Sequence, residues 1–319
     1  MEEKTAGQLL KEKLCYKSKN VYKDASDALE AAIYEYAEGY KAYLDASKIE
    51  REAVTSGIYL AIANGFVPYR LGDKVVPGGK YYYDNRGKAL YAFVVGSEPI
   101  TDGIKIAAAH VDSPRIDFKQ HTVYEDSGLG FFKTHYYGGV KKYQWTTIPL
   151  AIHGVVTRYD GTTVNVVIGE DESDPIFYID DLLPHLQNGT VESTITGERL
   201  NILAGSREYK DDKVDERIKL NILNFLYEKY EITEADLMSA ELSVVPAFKS
   251  RDVGFDRSLI AGYGHDDRCC AYPALTALFE VTAPKHTTMA VLVDKEETGS
   301  PGNTGIIIQR TTIQPKSYS

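Results

Sequence analysis

Apolar positions along this chain recur with two different periods, and the switches between them lay out its elements. Leu29, Ile33, Tyr36, Tyr40 and Tyr43 fall three to four residues apart, and Ser26 stands where a cap is needed, so an amphipathic helix is predicted over 26–46. A second helix is predicted over 49–64, stopped by Gly65 with Pro68 beyond. Segments 80–83 and 89–95 read as strands around the turn Asp84-Asn85-Arg86-Gly87, and 104–109 reads as a strand that delivers His110.

The texture changes between residues 119 and 244. Alternation over 143–157 and 163–168 predicts strands around Asp160-Gly161, and polar stretches follow at 169–175 and 187–199. A charged helix is predicted over 212–230, with Val214, Ile218, Ile222, Phe225 and Leu226 on its apolar face. Strand-like runs resume at 242–248 and 259–263, followed by a helix ending near 279 and a buried-looking strand at 289–293. The chain is therefore expected to divide into a first part, 1–118, an inserted block, 119–244, and a second part, 245–319.

Composition narrows the function classes. A length of 319 residues holds two domains, or one domain with a large insertion. A formal net charge of -10 argues against nucleic acid or an anionic membrane as the main partner. The three cysteines, Cys15, Cys269 and Cys270, form no C-x-x-C pair, and their odd number argues against a disulfide framework. The first residues lack the basic-then-apolar pattern of a signal peptide, and no apolar run reaches the length of about 18 residues that suggests a membrane span. A cytoplasmic location is expected. The 24 tyrosines against 10 phenylalanines fit half-buried sheets and subunit contacts, with packing as the ordinary explanation.

Three acid and imidazole clusters follow predicted strands. Ala109-His110-Val111-Asp112-Ser113-Pro114 places an aspartate two residues after a histidine, which suits a metal ligand and the carboxylate that fixes its tautomer. A surface histidine with a turn-forming aspartate would look the same. Gly264-His265-Asp266-Asp267-Arg268 offers a carboxylate able to bridge two cations, or simply aspartates at a helix N-terminus. Glu296-Glu297, after the 289–293 strand and before Gly299, suits one glutamate as general base and one as metal ligand, whereas on a surface helix the pair would be solvated and inert. His135, in Thr134-His135-Tyr136-Tyr137-Gly138-Gly139, is a fourth candidate, with a structural role as its alternative. His121, His153, His185 and His286 show no partners in sequence. The chain has no G-x-S-x-G, H-E-x-x-H or Walker A string.

The strings Ala-His-Val-Asp-Ser-Pro, Thr-His-Tyr-Tyr-Gly-Gly and Asp-Lys-Glu-Glu-Thr-Gly-Ser, in this order, resemble the aspartyl aminopeptidase family of dinuclear zinc exopeptidases, over residues 1–305. The resemblance implies an α/β, mixed-sheet exopeptidase domain, incomplete at its C-terminus, with an inserted β-rich dimerisation and assembly domain. It implies that His110 binds one zinc, Asp266 bridges two, Glu297 binds the second, Glu296 is the general base and Asp112 orients His110. It further implies peptide substrates with an N-terminal Asp or Glu, self-assembly into dodecamers, and a His135 that reaches into a neighbouring subunit's active site. Zinc is the expected metal, and cobalt or manganese suit the same ligands.

The resemblance stops after Gly305. The family's other two ligands, an aspartate and a histidine, have no counterpart, because 306–319 contains no Asp, Glu, His or Cys. A chain shortened at its C-terminal end, weak or inactive alone, is therefore expected. A natural shortened paralogue, or a missing part supplied by another polypeptide, explains the same gap. The runner-up function is a non-catalytic oligomer-forming paralogue or fragment, and a dinuclear metal phosphatase ranks third.

Overall fold

A computed structural model describes residues 4–186, 189 and 195–307. The chain forms two compact units, residues 1–40 and 41–319. The first holds α1 (Ala6–Leu14), which sequence periodicity did not reveal because none of its residues is buried. Its start is fixed by a capping box in which Thr5 Oγ1 accepts the Gln8 N–H at 3.2 Å and the Gln8 side chain accepts the Thr5 N–H at 2.9 Å. The next helix, α2 (Asp27–Asp45), crosses the division at residue 40 and begins where expected, with Ser26 Oγ accepting the Leu29 N–H at 3.2 Å.

The second unit continues with α3 (Glu50–Ala63), β1 (Val67–Pro68), β2 (Lys80–Asn85), β3 (Ala89–Val94) and β4 (Lys105–His110). Then come β5 (Arg115–Asp126), β6 (Leu129–Tyr137), β7 (Leu150–Thr157), β8 (Thr163–Ile168) and β9 (Ile202–Gly205). The order closes with α4 (Arg217–Tyr230), α5 (Glu234–Leu237), β10 (Glu241–Pro246), β11 (Arg251–Val253), β12 (Leu259–Ala261), α6 (His265–Phe279) and β13 (Thr288–Val293).

These strands build two main sheets. A five-stranded mixed sheet runs β1-β2-β3-β13-β4, with β13 antiparallel to β3 and parallel to β4. A six-stranded sheet runs β8-β7-β10-β5-β6-β9, and β11 pairs with β12 in a separate two-stranded sheet. The predicted turn between β2 and β3 forms because Arg86 and Gly87 both take positive φ while Asp84 accepts the Gly87 N–H at 2.7 Å. The first sheet packs against α3 and α6: a Cβ on Gly57 of α3 would meet Leu90, Leu275 and Leu292 within 4 Å, so the helix approaches closely only with no side chain there. The second sheet buries Ile116, Phe132, Ile152, Ile202 and Val244 against Ile218, Ile222 and Leu226 of α4.

Two sequence expectations are corrected. The strand predicted over 143–157 begins only at Leu150, after a 3-10 turn at Lys142–Gln144. The helix predicted from 212 begins at Arg217, and Val214 and Phe225, assigned to its apolar face, are 37% and 50% exposed. The cause is non-local. Glu125, at the end of β5, accepts the N–H groups of both Ile218 and Lys219 at 2.8 Å and so fixes the helix start from outside. Of the polar stretch 187–199, residues 187–188 and 190–194 lie outside the described residues, as does 308–319 of the C-terminal segment.

Candidate metal centre

The centre lies where the chain leaves the first sheet for the second. In the parallel pair β4–β13, His110 and Val293 are register partners at the carboxyl ends of both strands, the end at which open α/β sheets gather their sites. Four residues, Val111 to Pro114, then link β4 to β5. The Val111 N–H donates to the Val293 carbonyl at 2.8 Å, so the link begins as an extension of the ladder. Arg268, fully buried, donates to the Val111 carbonyl from Nε at 3.2 Å and Nη2 at 3.0 Å and holds the link from below.

Past β13 the backbone turns through Lys295 at φ 73° into a 3-10 turn, Glu296–Thr298. That turn aims two N–H groups at one carboxylate. Asp112, with no exposure, accepts the Glu296 N–H through Oδ1 and the Glu297 N–H through Oδ2, both at 3.2 Å, and the Tyr137 hydroxyl at 2.7 Å. Asp112 also faces His110: its carbonyl lies 2.9 Å, and its Oδ1 3.4 Å, from His110 Nδ1. With Nδ1 engaged there, Nε2 points into the cluster, 3.2 Å from Asp266 Oδ1 and 3.7 Å from Glu296 Oε2.

Among the described residues, His110, Glu296 and Glu297 each offer a ligand atom, all within 4.8 Å of one another. Asp266 reaches the same imidazole from the start of α6, but its backbone there is not helical (φ -87°, ψ 108°), nor is that of Asp267. Its carbonyl accepts from Ser113 Oγ at 2.9 Å, and the Asp266–Asp267 peptide is cis. Three strings distant in sequence therefore meet in space. His135 stands apart from this cluster. It is exposed on β6, 5.0 Å from the Tyr136 ring, two positions before Tyr137. His265 packs as a neighbour, with Nε2 3.1 Å from the Ile260 carbonyl.

Titration in this pocket reflects crowded negative charge. Burial pulls the His110 pKa down, but the hydrogen bond and charge of Asp112, and the charge of Glu296, raise it to about 9. Burial pulls Asp112 up, and the bonds from His110, Tyr137 and the Glu297 N–H outweigh it, leaving Asp112 below the usual range. Glu297 is raised by burial, opposed by His110 and reinforced by Asp112, Asp266 and Glu296. One imidazole among four carboxylates leaves a negative surplus that a divalent cation would neutralise. Histidine nitrogen with carboxylate oxygens is a donor set that fits zinc. A second group, Asp267, Cys269 and Cys270, lies on the first turn of α6, where Asp267 raises the Cys270 thiol to about 12.

Sequence reading missed the supports of this centre. Tyr137 and Gly138 lie in the string singled out for His135, yet they are the residues that meet the cluster. A Cβ on Gly138, at φ 71°, would sit 2.9 Å from Glu297 Oε2. His153, given no role, bridges Glu52 at 2.7 Å and Glu170 at 3.1 Å.

Fold and donor set together define an α/β protein with a cluster of histidine and carboxylate groups at its strand ends, a set of the kind that suits a divalent metal. Residues 43–310 match the aminopeptidase I zinc metalloprotease (M18) family, and the chain belongs to that family. A probable M18 family aminopeptidase 1 of Clostridium acetobutylicum is 47% identical over 296 residues, which make up 90% of this chain and 64% of that protein. The crystal structure of an M18 aminopeptidase from Thermotoga maritima matches with a TM-score of 0.86 at 42% identity, covering 91% of this chain and 64% of that one. Aminopeptidase I of C. acetobutylicum matches with a TM-score of 0.83 at 42% identity, covering 92% and 66%. The chain thus spans 64% of the length of the first of these relatives.

Proposed function

We propose that this chain carries the zinc-binding half-site of an aminopeptidase that removes N-terminal, acidic residues from peptides. The observation that supports this most directly is the meeting of His110, Glu296 and Glu297 within 4.8 Å, with Asp266 3.2 Å from the same imidazole. His110, Asp266 and Glu297 are the residues that would hold zinc. Zinc held there would supply a Lewis acid that makes water and a peptide carbonyl more reactive.

The chain's own residues do the rest. Asp112 holds the His110 ring through Nδ1 and keeps Nε2 free as a donor atom. By accepting both glutamate N–H groups, it also fixes the turn that presents the two side chains. Glu296, with its side chain 54% exposed, stands at the solvent side and takes the proton of the attacking water, then returns it to the leaving amine. His135, exposed on β6, is available to a neighbouring copy in a self-assembled oligomer. The block 119–244 is proposed as the assembly domain, between catalytic parts 1–118 and 245–319.

The Asp266 side chain is 85% exposed, so the centre is open on one side. This favours a second reading, in which these 319 residues bind metal but turn over peptide weakly or not at all. Zinc content together with hydrolysis of an N-terminal Asp or Glu substrate separates the two. Zinc with turnover supports the enzyme, zinc without turnover supports the half-site alone, and neither refutes both.

A further inference from the structure

Helix α6 carries a second group of donor atoms, away from the residues it buries. The buried ones are Arg268, Ala271, Tyr272, Leu275 and Leu278. At 3.6 residues per turn, Cys269 and Cys270 fall between these positions, and both are exposed. Free cysteine is among the most buried residue types, so two adjacent exposed thiols are out of pattern. Cys15, at the C-terminal cap of α1, is exposed as well but joins no such group among the described residues.

Consecutive side chains on a regular helix do not ordinarily face one another. Here the two converge with a third group. Asp267, whose backbone is not helical (φ -117°, ψ 29°), stands just ahead of the regular turns and brings a carboxylate oxygen to the thiols. The three donor atoms all lie within 4.8 Å of one another. Atoms held tetrahedrally at a zinc–sulfur bond length of about 2.3 Å are roughly 3.8 Å apart, and a larger cation spreads them further. Small side-chain rotations therefore close the group around an ion, with the backbone left where it is.

We propose that Asp267, Cys269 and Cys270 form a second metal site, for a soft, thiophilic cation of the copper(I) and cadmium class. Softness separates it from the first centre. Two sulfur donors and one oxygen favour a polarisable ion, whereas His110, Glu296 and Glu297 offer only nitrogen and oxygen. Binding releases the two thiol protons to solvent and forms two sulfur–metal bonds, with no change in oxidation state. Asp267 supplies the third bond, and water completes the shell. The two centres meet at one turn of backbone, where Asp266 faces His110 and Asp267 faces the thiols.

The test is a cadmium titration of the reduced 319-residue chain, read by the ultraviolet sulfur-to-cadmium charge-transfer band, to which a nitrogen and oxygen centre is silent. The expected result is a band that saturates at a single equivalent and persists in Cys15→Ser and in His110→Ala. Changing both Cys269→Ser and Cys270→Ser should abolish it. Asp267→Asn should keep the band and weaken cadmium binding about tenfold, by removing the charge of one ligand. Should a variant misfold by circular dichroism, the parent chain decides alone. Cadmium should then slow alkylation of Cys269 and Cys270 about tenfold, read by peptide mass spectrometry, and leave Cys15 unaffected. Three results would overturn the proposal: no band in the parent, a band that survives the double serine change or disappears with Cys15→Ser, or equal protection of all three cysteines.

Discussion

Asp112 accepts the backbone N–H of Glu297 at 3.2 Å, although 185 residues separate them. One buried carboxylate thereby sets both the ring it touches and the turn carrying the two glutamates. Asp112→Asn keeps the shape, removes the charge and turns one acceptor atom into a donor facing an N–H. Loss of such an outer partner typically costs roughly 10- to 100-fold in metal affinity. A zinc competition titration should show a loss in this range with the circular dichroism spectrum unchanged.

The glutamates are expected to separate by their variants. Glu297→Gln should lower zinc affinity, because it removes the charge of a proposed ligand. Glu296→Gln should leave zinc content near that of the parent chain and abolish whatever peptide turnover the parent shows. The reverse pattern would mean that the two roles are exchanged.

Gly138 is required by both backbone and space. Its φ of 71° and the 2.9 Å approach of a Cβ to Glu297 Oε2 leave no room for a side chain. Gly138→Ala should cost about 1–3 kcal/mol in a urea unfolding curve, the usual price of holding a non-glycine residue in a left-handed conformation. It should also weaken zinc binding by displacing Glu297.

How much of this could be read beforehand depended on the range of the determining contact. The helix from Asp27 was legible because its cap and its apolar spacing are local. The strand leading to His110 was legible as an apolar run with turn residues around it. The start of α4 was not, since Glu125 on a distant strand fixes it. At the centre, His110, Asp266, Glu296 and Glu297 announced themselves by residue type. Tyr137 did not, because a tyrosine among 24 carries no signal until the fold brings its hydroxyl to Asp112. His153 was passed over for the same reason, with both carboxylate partners remote in sequence.

A buried ion pair away from the centre sets an acid limit. Glu50 lies 3.1 Å from Arg115 and 3.1 Å from Lys88. Burial alone would raise its pKa, but Arg115 and Lys88 outweigh burial and hold it at about 2, below the ordinary 4.5. A depressed folded-state value means that the contribution is complete above pH 4.5 and is lost as pH falls from there toward 2. Glu50→Gln should therefore flatten the pH dependence of unfolding free energy in that window. At neutral pH it should destabilise by roughly 3 kcal/mol, as breaking a buried pair does.

The central claim is that loops carrying residues 110, 266 and 297 form one divalent-metal centre. Its most direct measurement is zinc bound per folded chain, by elemental mass spectrometry after dialysis against micromolar zinc, for the parent and for His110→Ala. Stoichiometric zinc in the parent, falling sharply in the variant while the fold persists, is the expected result. A parent that retains no zinc, or a variant that retains as much as the parent, would contradict it.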